Sequence, residues 1–144
     1  MQIKIDPKFH KEIAGFVDRV NTMGGKALDE CYDIVRVLTD KVQEEAVKRA
    51  PVDEGFLEKS IEKKMMKGKF SDEISGVVYI PSNAPASQYA WYMHELTYKL
   101  GARSQAKQAA SKVVVGRKYI QRALDENVKA LTLYIVKRLR EFCK

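Results

Sequence analysis

The chain has 144 residues, 45% of them hydrophobic and 31% charged, with a formal charge of +7 and a pI near 9.4. That length suits a single domain over residues 1–144 with a modest core, and excludes an enzyme with separate cofactor and substrate lobes. The apolar content is too high for a disordered chain, and two cysteines are too few for a disulfide scaffold.

The alternation of Gln2, Ile3, Lys4, Ile5 and Asp6 predicts a short N-terminal strand. No apolar signal region follows Met1, and no stretch approaches the ~20 apolar residues of a membrane span. A soluble protein made in a cytosol, with no membrane partner, is expected. Asp6-Pro7 opens a helix with Phe9, Ile13, Phe16, Val17 and Val20 on one side, stopped near Gly24-Gly25. A longer helix is predicted from Lys26 to Arg49. Leu28, Cys31, Tyr32, Val35, Leu38, Val42, Ala46 and Ala50 form its apolar stripe. Pro51 ends it, because proline disfavours helical backbone in the residue before it. The strand and helices thus occupy residues 1–50.

Residues 56–80 read as a β-hairpin. The runs Phe56–Lys67 and Asp72–Ile80 flank a polar tip at 68–72, and Val77, Val78, Tyr79 and Ile80 are typical strand residues. A loop at 81–87 leads to an aromatic segment, 87–96. Residues 97–112 are rich in Ala, Gln, Lys and Ser, and are expected as an exposed, mobile loop. Val113–Val115 suits a short strand or the end of that loop. A C-terminal amphipathic helix follows over 117–143, with Tyr119, Ile120, Ala123, Leu124, Val128, Leu131, Ile135, Leu139 and Phe142 on its apolar side. Strands set between helices, without alternating β-α units, imply an α+β fold. Its small antiparallel β-sheet, the central hairpin plus the N-terminal strand, would pack against the long amphipathic helices. A hairpin alone is only marginally stable, so helices or a neighbouring subunit must cover it.

The charge is uneven. Residues 1–50 hold nine basic and nine acidic side chains, 51–100 hold six and seven, and 101–144 hold eleven and three. The candidate basic surface is therefore Arg103, Lys107, Lys112, Arg117, Lys118, Arg122, Lys129, Lys137, Arg138 and Arg140. Such a surface suits nucleic acid or an acidic protein face, and a solvated helix face is the plainer reading.

Catalytic candidates are thin. His10 and His94 are the only histidines, and His94-Glu95 is an adjacent pair rather than two histidines four apart on a helix. Ser60 lacks the glycine-flanked turn of a nucleophile elbow. Cys31 and Cys143 have no ligand-spaced partners and read as reduced thiols. The acidic pairs Glu44-Glu45 and Asp53-Glu54 read as a solvated face and a turn. No catalytic residue, cofactor site or metal site is assigned, and no enzyme is expected. Tyr89, Trp91, Tyr92 and the later Tyr119 are candidate interface anchors, with ordinary core as the other reading.

The stretch 50–61, Ala-Pro-Val-Asp-Glu-Gly-Phe-Leu-Glu-Lys-Ser-Ile, resembles the A-P-V-D-T-G-x-L-x-x-S-I signature of the gene-product-ten-like family of tailed phages. Residues 89–95, Tyr-Ala-Trp-Tyr-Met-His-Glu, are similar to that family's Y-A-x-Y-V-E. Residues 118–124, Lys-Tyr-Ile-Gln-Arg-Ala-Leu, are similar to its P-F-L-x-P-A-L, without the proline pair. Glu54 stands where the signature has threonine. The first motif has its own physical sense as a structural corner of Pro51, Asp53, Gly55, Leu57, Ser60 and Ile61. Pro51 stops the helix, Asp53 accepts backbone N–H groups in a turn, and Gly55 allows a sharp change of direction. Leu57 and Ile61 then return to the core. The resemblance implies a structural virion protein forming a homo-oligomeric ring at the head–tail junction, as a neck, tail-terminator or tail-completion component. It implies other neck and tail proteins as partners, contact with DNA in the channel, and assembly in the host cytoplasm. The competing expectation is a small basic nucleic-acid-binding protein acting outside a virion.

Overall fold

The computed structural model describes residues 25–67 and 73–144. The expected strand at 2–6, the helix carrying Phe9 to Val20, His10 and the hairpin tip at 68–72 lie outside the described residues. The described elements are α1 (Gly25–Arg49), α2 (Phe56–Ser60), β1 (Glu62–Lys67), β2 (Ile74–Tyr79), α3 (Ser87–Glu95), α4 (Ala102–Ala110), α5 (Tyr119–Asp125) and α6 (Val128–Phe142). The fold is α+β.

The organising element is α1, which packs against β1, β2, α5 and α6. It buries Ala27, Ile34, Val42 and Ala46, and Ala50 follows just past its end. Of the expected stripe only Val42, Ala46 and Ala50 are buried. Leu28, Cys31, Val35 and Leu38 are half-buried and Tyr32 is exposed, because the covered face of the first turns lies around Ala27 and Ile34. The core continues through Leu57, Ile61, Ala86, Ala90, Tyr119 and Ala123. Six of the buried core residues are alanines, so α1 and α5 approach closely, and α3 lies beside them around one large side chain. That side chain is Tyr119, which is 1% exposed and donates its hydroxyl to Ala90 O at 3.2 Å.

The strands pair antiparallel, with Glu62 opposite Tyr79 and Lys67 opposite Ile74. Alternation turns Gly76 and Val78 of β2, with Met65 and Lys63 of β1, toward α1. Lys63 accordingly meets Asp40 at 2.5 Å, and Thr39 Oγ1 lies 3.8 Å from Met65 Sδ. Gln43 of α1 donates to Ile61 O at 2.8 Å, just ahead of β1. Gly76 lies directly under Thr39, where there is no room for a side chain.

Several expectations are corrected. Residues 56–60 are helical, because Gly55 (φ 84°) reverses the chain and Ser60 Oγ bonds Phe56 O at 2.6 Å. The hairpin strands are therefore 62–67 and 74–79. The stretch 97–112 holds α4, whose alanine-rich sequence favours helix once its inner side is anchored. Val113–Val115 is not a strand. Instead Gln108 of α4 donates to Val113 O and accepts from Val115 N, in place of a sheet neighbour. The C-terminal helix is two helices, interrupted at Glu126-Asn127. Asn127 turns its side chain back onto Ala123 O at 2.8 Å, and its own carbonyl starts α6 by accepting from Leu131 N.

Glu45 is not on a solvated face. It is 7% exposed and ion-pairs with Arg49, itself 3% exposed, at 2.5 Å. Arg49 also reaches Glu126 at 2.7 Å, tying the end of α1 to the end of α5. Burial alone pushes the Glu45 carboxyl up. Hydrogen bonds from Arg49, Lys48 and Lys41 outweigh it and hold the group at about 2. Among the described residues, no helix is long and apolar enough to cross a membrane.

Candidate assembly surface

The corner after α1 is built from both sides. Pro51, buried, ends the helix and leaves its last carbonyls without helical partners. Lys107 of α4 supplies the missing donor, reaching Val47 O and Ala50 O at 2.7 Å and pairing with Glu58. A cation there also complements the helix dipole. Ser104 brackets Val52, accepting from its N–H at 2.9 Å and donating to its carbonyl at 2.8 Å. Arg103 donates to Asp53 O, so at Asp53 it is the backbone that α4 engages. Replacing Lys107 by methionine is expected to cost about 1.5–3 kcal/mol, the range for hydrogen bonds to a charged group. Urea unfolding reads this directly, and an unchanged midpoint would count against the capping role.

Beside the corner lies a groove of about 560 Å³, with Phe56 and Leu57 on one wall, Tyr98 and Leu100 on the other, and Tyr89 and Met93 from α3. Burial first, then the charges of Glu54 and Asp53, push the Tyr89 phenol above its usual range. Two of the three family-like motifs thus meet at one groove. The third, 118–124, enters the core behind α3. Lys118 N donates to His94 O at 2.8 Å, holding Lys118 in the left-handed region (φ 60°).

The aromatic anchors separate. Trp91 and Tyr92 are 61% and 55% exposed, and their rings meet edge to face with centroids 5.4 Å apart. Tyr89 is partly exposed at the groove. Tyr119 is a core residue, excluded from any partner surface by its burial. Sequence spacing could not tell these four apart, since each lies on a helix with one covered side.

His94 is drawn into packing. Its ring stands edge-on to Tyr119 with centroids 4.9 Å apart, and Nδ1 lies 2.7 Å from Glu95. Glu95 also pairs with Lys118, and the hydrogen bonds from Lys118 first and then His94 lower its carboxyl pKa. Among the described residues no group of three His, Cys, Asp or Glu side chains is placed to hold a metal ion.

The ten candidate basic residues also divide. Arg103, Lys107 and Lys118 make the ties above, Arg117 donates to Thr97 Oγ1 at 3.1 Å, and Arg138 pairs with Glu30 at 2.7 Å. Lys112, Lys129, Lys137 and Arg140 are exposed, and Arg122 is half-buried. Half of the apparent basic surface is therefore engaged in contacts within the chain, although Arg103 and Arg117 remain exposed. No signal in the sequence marked Arg49 or Lys107 as ties, because Glu126 lies 77 positions from Arg49 and Glu58 lies 49 from Lys107, and the local Arg49–Glu45 pair alone reads as an ordinary helix-surface pair.

An α+β chain that spends its family-like motifs on a helix corner and an exposed aromatic helix has the makings of an assembly component. The family comparison agrees. Residues 14–95 match the family described as "Bacteriophage HK97-gp10, putative tail-component". The match covers more than half of the chain, and the chain belongs to this family. Its role is that of a structural phage tail component, and its place is the virion. No curated protein and no solved structure matches the chain.

Proposed function

We propose that the chain assembles into a homo-oligomeric ring at the head–tail junction of a tailed phage, as a neck or tail-completion component. The observation that carries this reading is the exposed Trp91–Tyr92 pair on α3, inside the family-matched segment and on the helix that lines the groove. Tryptophan and tyrosine are favoured anchors of protein interfaces, and two of them together in water are costly unless covered. A second support is the two-stranded sheet, which among the described residues leaves each strand one edge without a sheet neighbour. Such an edge can extend into another subunit, and a head-to-tail contact gives a ring when its rotation closes. Membership of a tail-component family favours this over a nucleic-acid-binding protein acting outside a virion.

Native mass spectrometry and negative-stain imaging of concentrated protein, alone and with purified heads and tails, test the reading. Discrete rings are expected. Trp91→Ala with Tyr92→Ala should weaken assembly at least tenfold, as loss of an interface anchor worth over ~1.4 kcal/mol requires. A strictly monomeric protein under all three conditions would sink the proposal.

A further inference from the structure

We propose that the outer side of α6 binds the phosphate backbone of duplex DNA through Lys129, Lys137 and Arg140. These three are exposed, and among the described residues none is in an ion pair. Their spacing of eight and three residues places them on one face of the helix. At 1.5 Å per residue they span roughly 16 Å, a cationic ridge rather than a point. Arg138, on the other side of α6, pairs with Glu30 of α1 at 2.7 Å and lies over Tyr134, and Leu131 packs against the core. With that side held against the body, Lys137 and Arg140 face outward. Glu141 stands at the edge of the ridge and forms no ion pair with Lys137.

The chemistry favours phosphate over a protein face. Lysine is depleted in protein interfaces, whereas lysine and arginine supply the charged contacts to phosphate. Leu133, 71% exposed between Lys129 and Lys137, and Val128, 51% exposed beside Lys129, are scattered apolar residues of the kind common on any surface. The aromatic anchors are on α3, in a different part of the chain, so the two surfaces differ in composition. Phosphate contacts of this kind carry no sequence preference. The inference does not depend on ring formation, and it is tested on the full chain in either state.

Fluorescence anisotropy with a labelled duplex of about 30 base pairs, from roughly 20 to 200 mM NaCl, reads the interaction. Binding at low salt is expected, with log K falling against log salt at a slope of about −2.7 for three phosphates per subunit. The variant Lys129→Ala/Lys137→Ala/Arg140→Ala should lose at least tenfold in affinity and flatten the slope, with an unchanged melting temperature. The variant Trp91→Ala/Tyr92→Ala, compared at the same oligomeric state, should keep both affinity and slope. Absence of binding by the wild-type chain at the lowest salt would overturn the proposal. So would equal binding by the triple variant. Binding to polyglutamate in preference to the duplex would overturn it in favour of an acidic protein partner.

Discussion

Replacing Gly76 by alanine is expected to destabilise the fold by about 2–3 kcal/mol, in the upper part of the range for overpacking a well-packed site. Ordinary strand chemistry predicts the opposite sign. Alanine should gain roughly 0.5–1 kcal/mol over glycine within a strand, because glycine loses more conformational freedom on folding. The reversal comes from α1. A Cβ on Gly76 would collide with Thr39 Oγ1 and lie 2.9 Å from Thr39 Cβ and 3.1 Å from its Cγ2. Those atoms belong to a β-branched side chain whose hydroxyl is already bonded to Val35 O at 2.7 Å, so it has little freedom to yield. The helix and the hairpin must separate instead. Thr39→Ala removes the worst contact and should recover at least ~1 kcal/mol of the loss in a double-mutant cycle. Urea unfolding of the four proteins provides the measurement. A Gly76→Ala protein as stable as the wild type would refute this account of the helix–sheet contact.

The second large effect is expected at Arg49. Removing one partner of a buried ion pair leaves the other charge without compensation, at a cost of about 3–5 kcal/mol. Arg49→Met should fall at the lower end of that range, because Glu45 is 7% exposed and keeps two partly exposed lysine contacts and a long hydrogen bond from Asn127. The double variant Arg49→Met/Glu45→Gln should recover part of the loss, since no buried carboxylate then remains. Arg49 itself is pushed down by burial and raised on balance by its bonds to Glu45 and Glu126, so it stays charged throughout.

The same network has an acid signature. Glu45 titrates from an ordinary value near 4.5 in the unfolded chain to about 2 in the folded one. A depressed carboxyl stabilises the fold above the unfolded value, and that contribution disappears as pH falls from about 4.5 toward 2. The shift corresponds to about 3 kcal/mol for this one group. Thermal melts between neutral pH and pH ~2 should show that limb in the wild type and lack it in the double variant. An identical acid limb in both would assign it to other carboxylates.

Much of the fold was legible in local pattern. The amphipathic period from Leu28 to Ala50 and the proline after it predicted a long helix here and its end at Arg49, because a long period and a hard stop are local signals, although the stripe was placed off the covered face in the first turns. The β-branched run at 77–80 marked β2 for the same reason. Patterns decided by one or two residues were misread. Gly55 and Ser60 made residues 56–60 a helix turn, and Asn127 divided the last helix. Residues 97–112 looked loop-like because α4 has few large apolar side chains. It is fastened instead by Ser104 and Lys107, whose partners are backbone groups on a different part of the chain.

The basic C-terminal third shows where the division lies. By itself, the sequence determined the secondary-structure rhythm, the family-like corner at 50–61 and the excess of positive charge after residue 100. Each is a property of neighbouring residues or of a count. Only the tertiary structure decided that Tyr119 is core while Trp91 and Tyr92 are exposed, and that Glu45 and Arg49 form a buried pair. It also decided that Lys107 and Arg138 are fastenings while Lys129, Lys137 and Arg140 remain in water. The physical reason is that a charge acts through its distance to other charges and its access to solvent. Both are set by which helix faces are pressed together, and residues far apart in the chain determine that.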